Sequence, residues 1–315
     1  MSRLPAKKIL VLGSLNIDLV QPVGRVPEAG ETIRGADLQI YVGGKGANQA
    51  CAAALLGGNV QMAGMIGNDV FGARLLAELQ EAGVDTSLVQ AAETASGSAI
   101  IFVLPNGENR IVISPGANAA VTGTVVKQAI DSLEAGDFLL CQLEIPIASV
   151  MEAMRPAYKK GVITILDPAP VCDFSDDVFR SVRILTPNQI EAGLLLGEAT
   201  PIGTLAEAER CARKLQARGV ETVVVKMGEQ GSFVAGQNES FVAPGFEVTA
   251  VDTTAAGDAF NGAFAVALRE GLGSRDAARF ANAAAGLSVT RNGALKSMPN
   301  RLEVDQFLAS KGPSA

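Results

Sequence analysis

Val251-Asp-Thr-Thr-Ala-Ala-Gly-Asp-Ala-Phe-Asn-Gly-Ala-Phe264 runs from a stretch of small residues into a helical repeat. Nothing bulky stands at positions 253–257, and apolar side chains then return at Ala259, Phe260, Ala263, Phe264, Ala267 and Leu268, the spacing of a helix with one buried face. A small-residue loop therefore meets a helix N-terminus, where unpaired backbone N–H groups and the positive end of the helix dipole bind negative oxygens. Asp258 falls in the first turn, placed to take a proton from an attacking hydroxyl. Taken alone, the same residues also describe an ordinary acidic first turn after a glycine.

Outward from this stretch, short apolar, β-branched runs at 9–12, 61–66, 138–142, 162–166, 184–186 and 222–226 alternate with amphipathic segments at 48–56, 72–82, 124–132, 148–160 and 205–218. Strand alternating with helix predicts an α/β fold whose largely parallel sheet is sandwiched by helices. Residues 19–41 and 96–114 break the rhythm with short strand-like runs and turns, among them Pro22, Pro27, Gly30, Gly97 and Pro105-Asn-Gly107. They predict a small extra sheet projecting from the body, of the kind that covers a site.

The chain has 315 residues, 48% of them hydrophobic, which is enough for a sizeable core. A formal net charge of −7 and no Lys/Arg cluster argue against a nucleic-acid partner. Histidine is absent, and Cys51, Cys141, Cys172 and Cys211 stand far apart, so the usual zinc sites and histidine-dependent triads are set aside. The basic start, with Arg3, Lys7 and Lys8, leads into an apolar run too short for a secretory signal, and no run is long enough to span a bilayer; a cytoplasmic location is expected.

Further polar constellations close the predicted strands. In Gly13-Ser-Leu-Asn-Ile-Asp18 the alternating Asn16 and Asp18 can face one way, an amide and a carboxylate suited to adjacent sugar hydroxyls; a polar turn fits as well. Val42-Gly-Gly-Lys-Gly-Ala-Asn-Gln-Ala50 sets glycines around Lys45 before an alanine-rich helix, with Asn48 near its start. Neither the G-x-x-x-x-G-K-[ST] loop nor the dinucleotide fingerprint is present. Gln142-Leu-Glu144 ends a strand in a carboxylate. Asn188 and Glu191, three apart in Thr186-Pro-Asn-Gln-Ile-Glu191, could order metal-bound waters or form a cap. Val225-Lys-Met-Gly-Glu-Gln-Gly231 offers a glycine-rich turn for nucleotide phosphates, or a plain β-turn.

Taken in order, the Gly-Gly-Lys-Gly-Ala-Asn-Gln string, the N-x-x-E and the Asp-Thr-Thr-Ala-Ala-Gly-Asp loop resemble the PfkB carbohydrate kinases over nearly the whole chain. The resemblance implies one three-layer α/β/α kinase domain over 1–315, with lid segments at about 17–42 and 96–115 forming a small β-sheet that also makes a homodimer. It implies ATP-dependent phosphorylation of the 5-hydroxyl of D-ribose. Asn16, Asp18, Gly44, Lys45, Asn48 and Glu144 would line the sugar pocket, with apolar contacts from Ala99, Ile101 and Ile113. Asp258 would be the base, ionised at a reference pKa of ~3.9. The amides of Ala255, Ala256, Gly257 and Asp258 would hold the transferred phosphoryl group. ATP would lie along Asn188, Lys226, Gly228, Gly231, Gly257 and Asn282, with Mg²⁺ reached through water from Glu191. A K⁺ site, mostly of carbonyl oxygens, would fall at Asp252, Thr254, Ser288, Arg291, Gly293 and Ser297.

Two departures stand out. Asn282 occupies a position where the bacterial pattern has histidine, and Lys226 replaces a small polar residue, either to contact phosphate or to point to solvent. Another substrate, such as 2-deoxyribose, fructose or adenosine, and a non-catalytic sugar-binding regulator on the same fold are the competing readings.

Overall fold

Alternation along each short strand divides the apolar side chains between two cores. In β1 (Ile9–Leu12), Ile9 and Val11 point to one side while Leu10 and Leu12 point to the other, and Phe138 and Leu140 are likewise opposed to Leu139 and Cys141 further on. Strands buried on both faces in this way require helices on both faces. The computed structural model describes residues 7–172, 175–198 and 200–312.

In chain order, β1 is followed by β2 (Asn16–Pro22), β3 (Gln39–Gly43), α1 (Lys45–Leu55), β4 (Val60–Gly67), α2 (Val70–Glu81), β5 (Asp85–Ala92), β6 (Gly97–Val103) and β7 (Asn109–Ser114). Next come α3 (Gly123–Asp131), β8 (Phe138–Cys141), α4 (Ile147–Lys159), β9 (Ile163–Leu166), β10 (Ile184–Leu185), α5 (Gln189–Leu195) and α6 (Leu205–Ala217). The last elements are β11 (Thr222–Lys226), β12 (Gly231–Ala235), β13 (Ser240–Pro244), α7 (Ala256–Arg269), α8 (Ser274–Ser288) and α9 (Arg301–Ser310).

Among the described residues the large sheet has nine strands in the order β13-β12-β11-β10-β9-β8-β1-β4-β5. It is parallel from β5 to β11, with β12 and β13 added antiparallel at one edge. Helices α1, α2, α7, α8 and α9 pack on one face; α3, α4, α5 and α6 pack on the other. The expected three-layer α/β/α body is present, and no described helix is long and apolar enough to cross a membrane.

The two helix-poor regions form a second sheet of four strands, β3-β2-β6-β7. Ile17 and Val42 anchor it in the core shared with α1 and α2. Across all four strands one row pairs Tyr41, Asp18, Ala99 and Ile113, which therefore share a face.

Candidate active site

Parallel strands end together, so the side chains that follow them gather at one edge of the large sheet. Leu12, Cys141 and Leu166 are in register, which brings Ser14, Gln142, Glu144 and Asp167 to that edge, and Lys226 ends β11 there.

Helix α7 enters this edge from above through Ala255. With φ of 59° it is the one non-glycine residue in left-handed backbone among the described residues, and that conformation costs an alanine about 1–2 kcal/mol. The N–H of Ala256 reaches Thr253 O at 3.3 Å, while those of Gly257 and Asp258 find no backbone partner. Of the amides expected to cradle an anion at 255–258, those of Gly257 and Asp258 are thus free to receive one.

Asp258 is buried and accepts from Asn48 Nδ2 at 3.0 Å and Gln49 Nε2 at 2.9 Å, both on α1. The two helices touch at Gly262, where a Cβ would lie 2.8 Å from Ala52 Cβ. Helix α1 starts at Lys45, three residues before the sequence-based boundary, because Gly44 turns the chain with φ of 88° and a Cβ there would meet Asn16 N at 2.8 Å. Burial raises the Asp258 pKa to about 6, with Lys45 opposing and Asp167 adding to the rise. The reference value of ~3.9 taken from the sequence is thus corrected by desolvation, although at neutral pH the carboxylate stays ionised by about ten to one. Lys45 is half-buried, and its desolvation disfavours its charge, but Asp258, Asp167, Glu144 and Glu191 outweigh that and hold its pKa above the ordinary lysine range.

Among the residues expected to line a sugar pocket, Glu144 Oε2 accepts from Ser14 Oγ at 2.6 Å and from the Lys45 N–H at 3.0 Å, fixing one carboxylate at the start of α1. Asp18 lies over Gly43, where a Cβ would stand 2.3 Å from Oδ2. Burial and the neighbouring Glu144 charge raise its pKa to about 6. Asn16 accepts from Asn118 Nδ2 at 2.7 Å, and Asn118 also clasps both backbone groups of Leu15. Ala99 is buried beside Asp18, Ile101 is half-buried and Ile113 is exposed.

On the other side, Asn188 and Glu191 form a capping box at α5. Asn188 Oδ1 accepts from the N–H groups of Ile190 and Glu191, and both Glu191 oxygens accept from Asn188 at 2.8 Å. Burial raises the Glu191 pKa, with Lys226 opposing and Asp167 adding to it. Asn188 pairs with Lys226 in a parallel bridge. Lys226 turns inward onto Asp167 rather than toward solvent. Gly228 and Gly231 bound the turn between β11 and β12, and Asn282 Nδ2 donates to Ala243 O at 2.9 Å and Pro244 O at 3.2 Å.

Beside the cradle, Asp252 joins the two segments expected to hold K⁺. Its oxygens accept from Thr254 N–H at 2.9 Å and Gly293 N–H at 2.8 Å. Partial burial would raise the Asp252 pKa, but these bonds lower it. The Ser288 and Ser297 hydroxyls donate to Ala285 O and Ala294 O, and Arg291 pairs with Glu303 at 2.6 Å, so backbone carbonyls are what this corner offers a cation.

Gln49, Asp167, Gln142, Ser14 and Asn118 were not singled out from sequence. Gln49 lay inside the quoted glycine-rich string; Asp167 directly follows an apolar strand, the same signal that pointed to Glu144.

A profile of the pfkB family of carbohydrate kinases matches residues 6–301. The chain belongs to that family. The kinase is 41% identical to the ribokinase of Haemophilus influenzae over 303 residues, covering 96% of this chain and 98% of the relative. Its fold matches the crystal structure of a ribokinase from Thermotoga maritima with a TM-score of 0.86 at 38% identity, covering 96% and 99% of the two chains. It also matches a ribokinase of Arabidopsis thaliana complexed with ribose and ATP, with a TM-score of 0.88 at 33% identity over 96% and 98%.

Proposed function

We propose that this kinase transfers the γ-phosphoryl group of ATP to the 5-hydroxyl of D-ribose, giving D-ribose 5-phosphate and ADP. The observation that carries the reading is Asp258, a buried carboxylate held by Asn48 and Gln49 in the first turn of α7, beside two free N–H groups. The relatives named ribokinase support the choice of sugar and nucleotide.

In the mechanism, Asn16, Asp18 and Glu144 grip the ribose hydroxyls, and Asp258 takes the proton of the 5-hydroxyl as its oxygen bonds to phosphorus and the bond to ADP breaks. The Gly257 and Asp258 N–H groups stabilise the charge on the transferred group, and Lys45 offsets part of the negative charge of the carboxylate-rich pocket. Asn188, Lys226, Gly228, Gly231 and Asn282 form the nucleotide side. The carboxylate of Glu191, its charge compensated by nearby Lys226 and Lys45, fits a water-mediated contact to Mg²⁺, which would neutralise phosphate charge. The charged Asp252 and the carbonyl-rich 288–297 segment fit a K⁺ ion. The four-stranded sheet acts as a lid over the sugar. Its edge strand β7 exposes Ile111, Val112 and Ile113, which suits a homodimer joined through the lid. A cytoplasmic site of action belongs to the same proposal.

The test is ADP release with MgATP and KCl across D-ribose, 2-deoxyribose, fructose, adenosine and no sugar, with Asp258→Asn alongside. Ribose-dependent turnover that falls about 10²–10⁴-fold in the variant is expected. Turnover with a different sugar alone would overturn the substrate, and none at all would favour a binding role.

A further inference from the structure

Lys226 ends β11 with its charge turned into the protein. Nζ donates to Asp167 Oδ1 at 3.1 Å, and the two side chains are only 12% and 3% exposed. A Cβ built on Gly257 would lie 3.2 Å from Nζ, so the ammonium rests against the first turn of α7. The second Asp167 oxygen accepts from Gln49 Nε2 at 2.9 Å, the nitrogen that also donates to Asp258. One line of contacts thus runs from Lys226 through Asp167 and Gln49 to Asp258.

A buried ion pair returns little net stability, because desolvation of both charges offsets their attraction. Its location gives it another use. The ammonium sits beside Gly257, in the turn whose N–H groups at Gly257 and Asp258 are unpaired, where a negatively charged group would be received. Backbone donors supply partial charges; a lysine adds a full one on a flexible stem.

We propose that Lys226 is a catalytic residue of this kinase whose ammonium contacts the transferred phosphoryl group at the α7 N-terminus, and that Asp167 is the positioning residue holding it there. The proposal rests on the phosphoryl-transfer reading above. Lys226 keeps its proton throughout: the 5-hydroxyl proton goes to Asp258, the new O–P bond forms on the sugar, and ADP leaves with the electrons of the broken bond. The ammonium moves from Asp167 toward the phosphoryl oxygens as charge collects on them.

The experiment compares full-length wild type, Lys226→Met, Asp167→Asn and the double variant. Steady-state kinetics give kcat and the KM values for MgATP and ribose. Calorimetry without sugar gives affinities for ADP and for the non-hydrolysable ATP analogue AMP-PNP. Lys226→Met should lower kcat by about 10²–10³-fold, as loss of one preorganised charge contact does. It should weaken AMP-PNP at least tenfold more than ADP and leave the ribose KM within about twofold. Because this variant leaves the Asp167 carboxylate unpaired beside the phosphates, the double variant should turn over faster than Lys226→Met alone. If Lys226→Met does not fold, the double variant against Asp167→Asn reads the same contact in a neutral site.

Wild-type kcat in Lys226→Met with an unchanged preference between AMP-PNP and ADP would overturn the catalytic assignment. Single losses that simply multiply in the double variant would overturn the positioning role of Asp167. Absence of ribose-dependent turnover in wild type would strike the functional reading instead, while the sugar-free nucleotide affinities still judge Lys226.

Discussion

Replacing Asp258 by asparagine should remove most activity and make the protein more stable at neutral pH. Burial lifts the carboxyl from 3.8 to about 6, and at 1.36 kcal/mol per unit the shift corresponds to about 3 kcal/mol. The sign follows from linkage: a raised folded-state pKa means that the folded protein holds the proton more tightly than the unfolded chain. Ionised Asp258 therefore destabilises the fold fully above pH 6, and the penalty fades as pH falls from 6 toward 3.8. An asparagine carries no such penalty. Its new N–H₂ needs an acceptor, and rotation of the Asn48 amide supplies Oδ1, which is buried without a hydrogen-bond partner. Guanidinium unfolding should show the variant more stable by about 3 kcal/mol at pH 7.5 and by about half that at pH 5. A variant no more stable than wild type at pH 7.5, or with equal gains at both pH values, would refute the argument from burial. Residual turnover above a tenth of wild type would refute the role as base.

Asp18 and Asp258 both titrate near 6 and both act as carboxylates, so activity is lost as pH falls through that value. The log of kcat/KM for ribose should fall with a limiting slope near two, and a single-slope limb centred near pH 4 would contradict the burial of this pair. Gly97→Ala would press a methyl to 2.1 Å from Asn118 Nδ2 and 2.3 Å from Asn16 Oδ1; we expect the ribose KM to rise about tenfold or more with the MgATP KM little changed. Unchanged KM values would mean that Asn16 does not meet the sugar. Turnover should be higher in potassium than in sodium-only buffer, and equal rates would remove the cation site from residues 252–254 and 288–297.

The fold was legible where a strand is apolar on both faces. Ile9–Leu12 and Thr222–Lys226 were read to the residue because buried parallel strands carry uninterrupted aliphatic runs bounded by glycine or polar residues. Asp85–Ala92 escaped notice because it is the sheet edge, where partly exposed polar residues erase the pattern. Ile184–Leu185 was read one residue too long, as 184–186, because the buried Thr186 continues the run. Within the site, Asp258, Asn48, Lys45 and Glu144 were marked by their strings. Asp167 carries the same strand-end signal as Glu144 but lies in none of those strings, and Asn118 stands alone in sequence and takes its role only from neighbours that a distant loop supplies. The pKa of Asp258 was illegible for the same reason: desolvation belongs to the packed interior, and nothing local to Gly257 and Asp258 encodes it.

The position of β1 between β4 and β8 also sets an order on synthesis. As the chain leaves the ribosome, β1 waits for Phe138–Cys141 before its second edge is covered, and Asp258 meets Asn48 and Gln49 across separations of 210 and 209 residues. Contacts that distant form late, because the intervening chain must first be closed. A nascent molecule halted before Ala256 holds Asp18 and Glu144 but neither base nor cradle, so an unfinished chain has no means of consuming ATP.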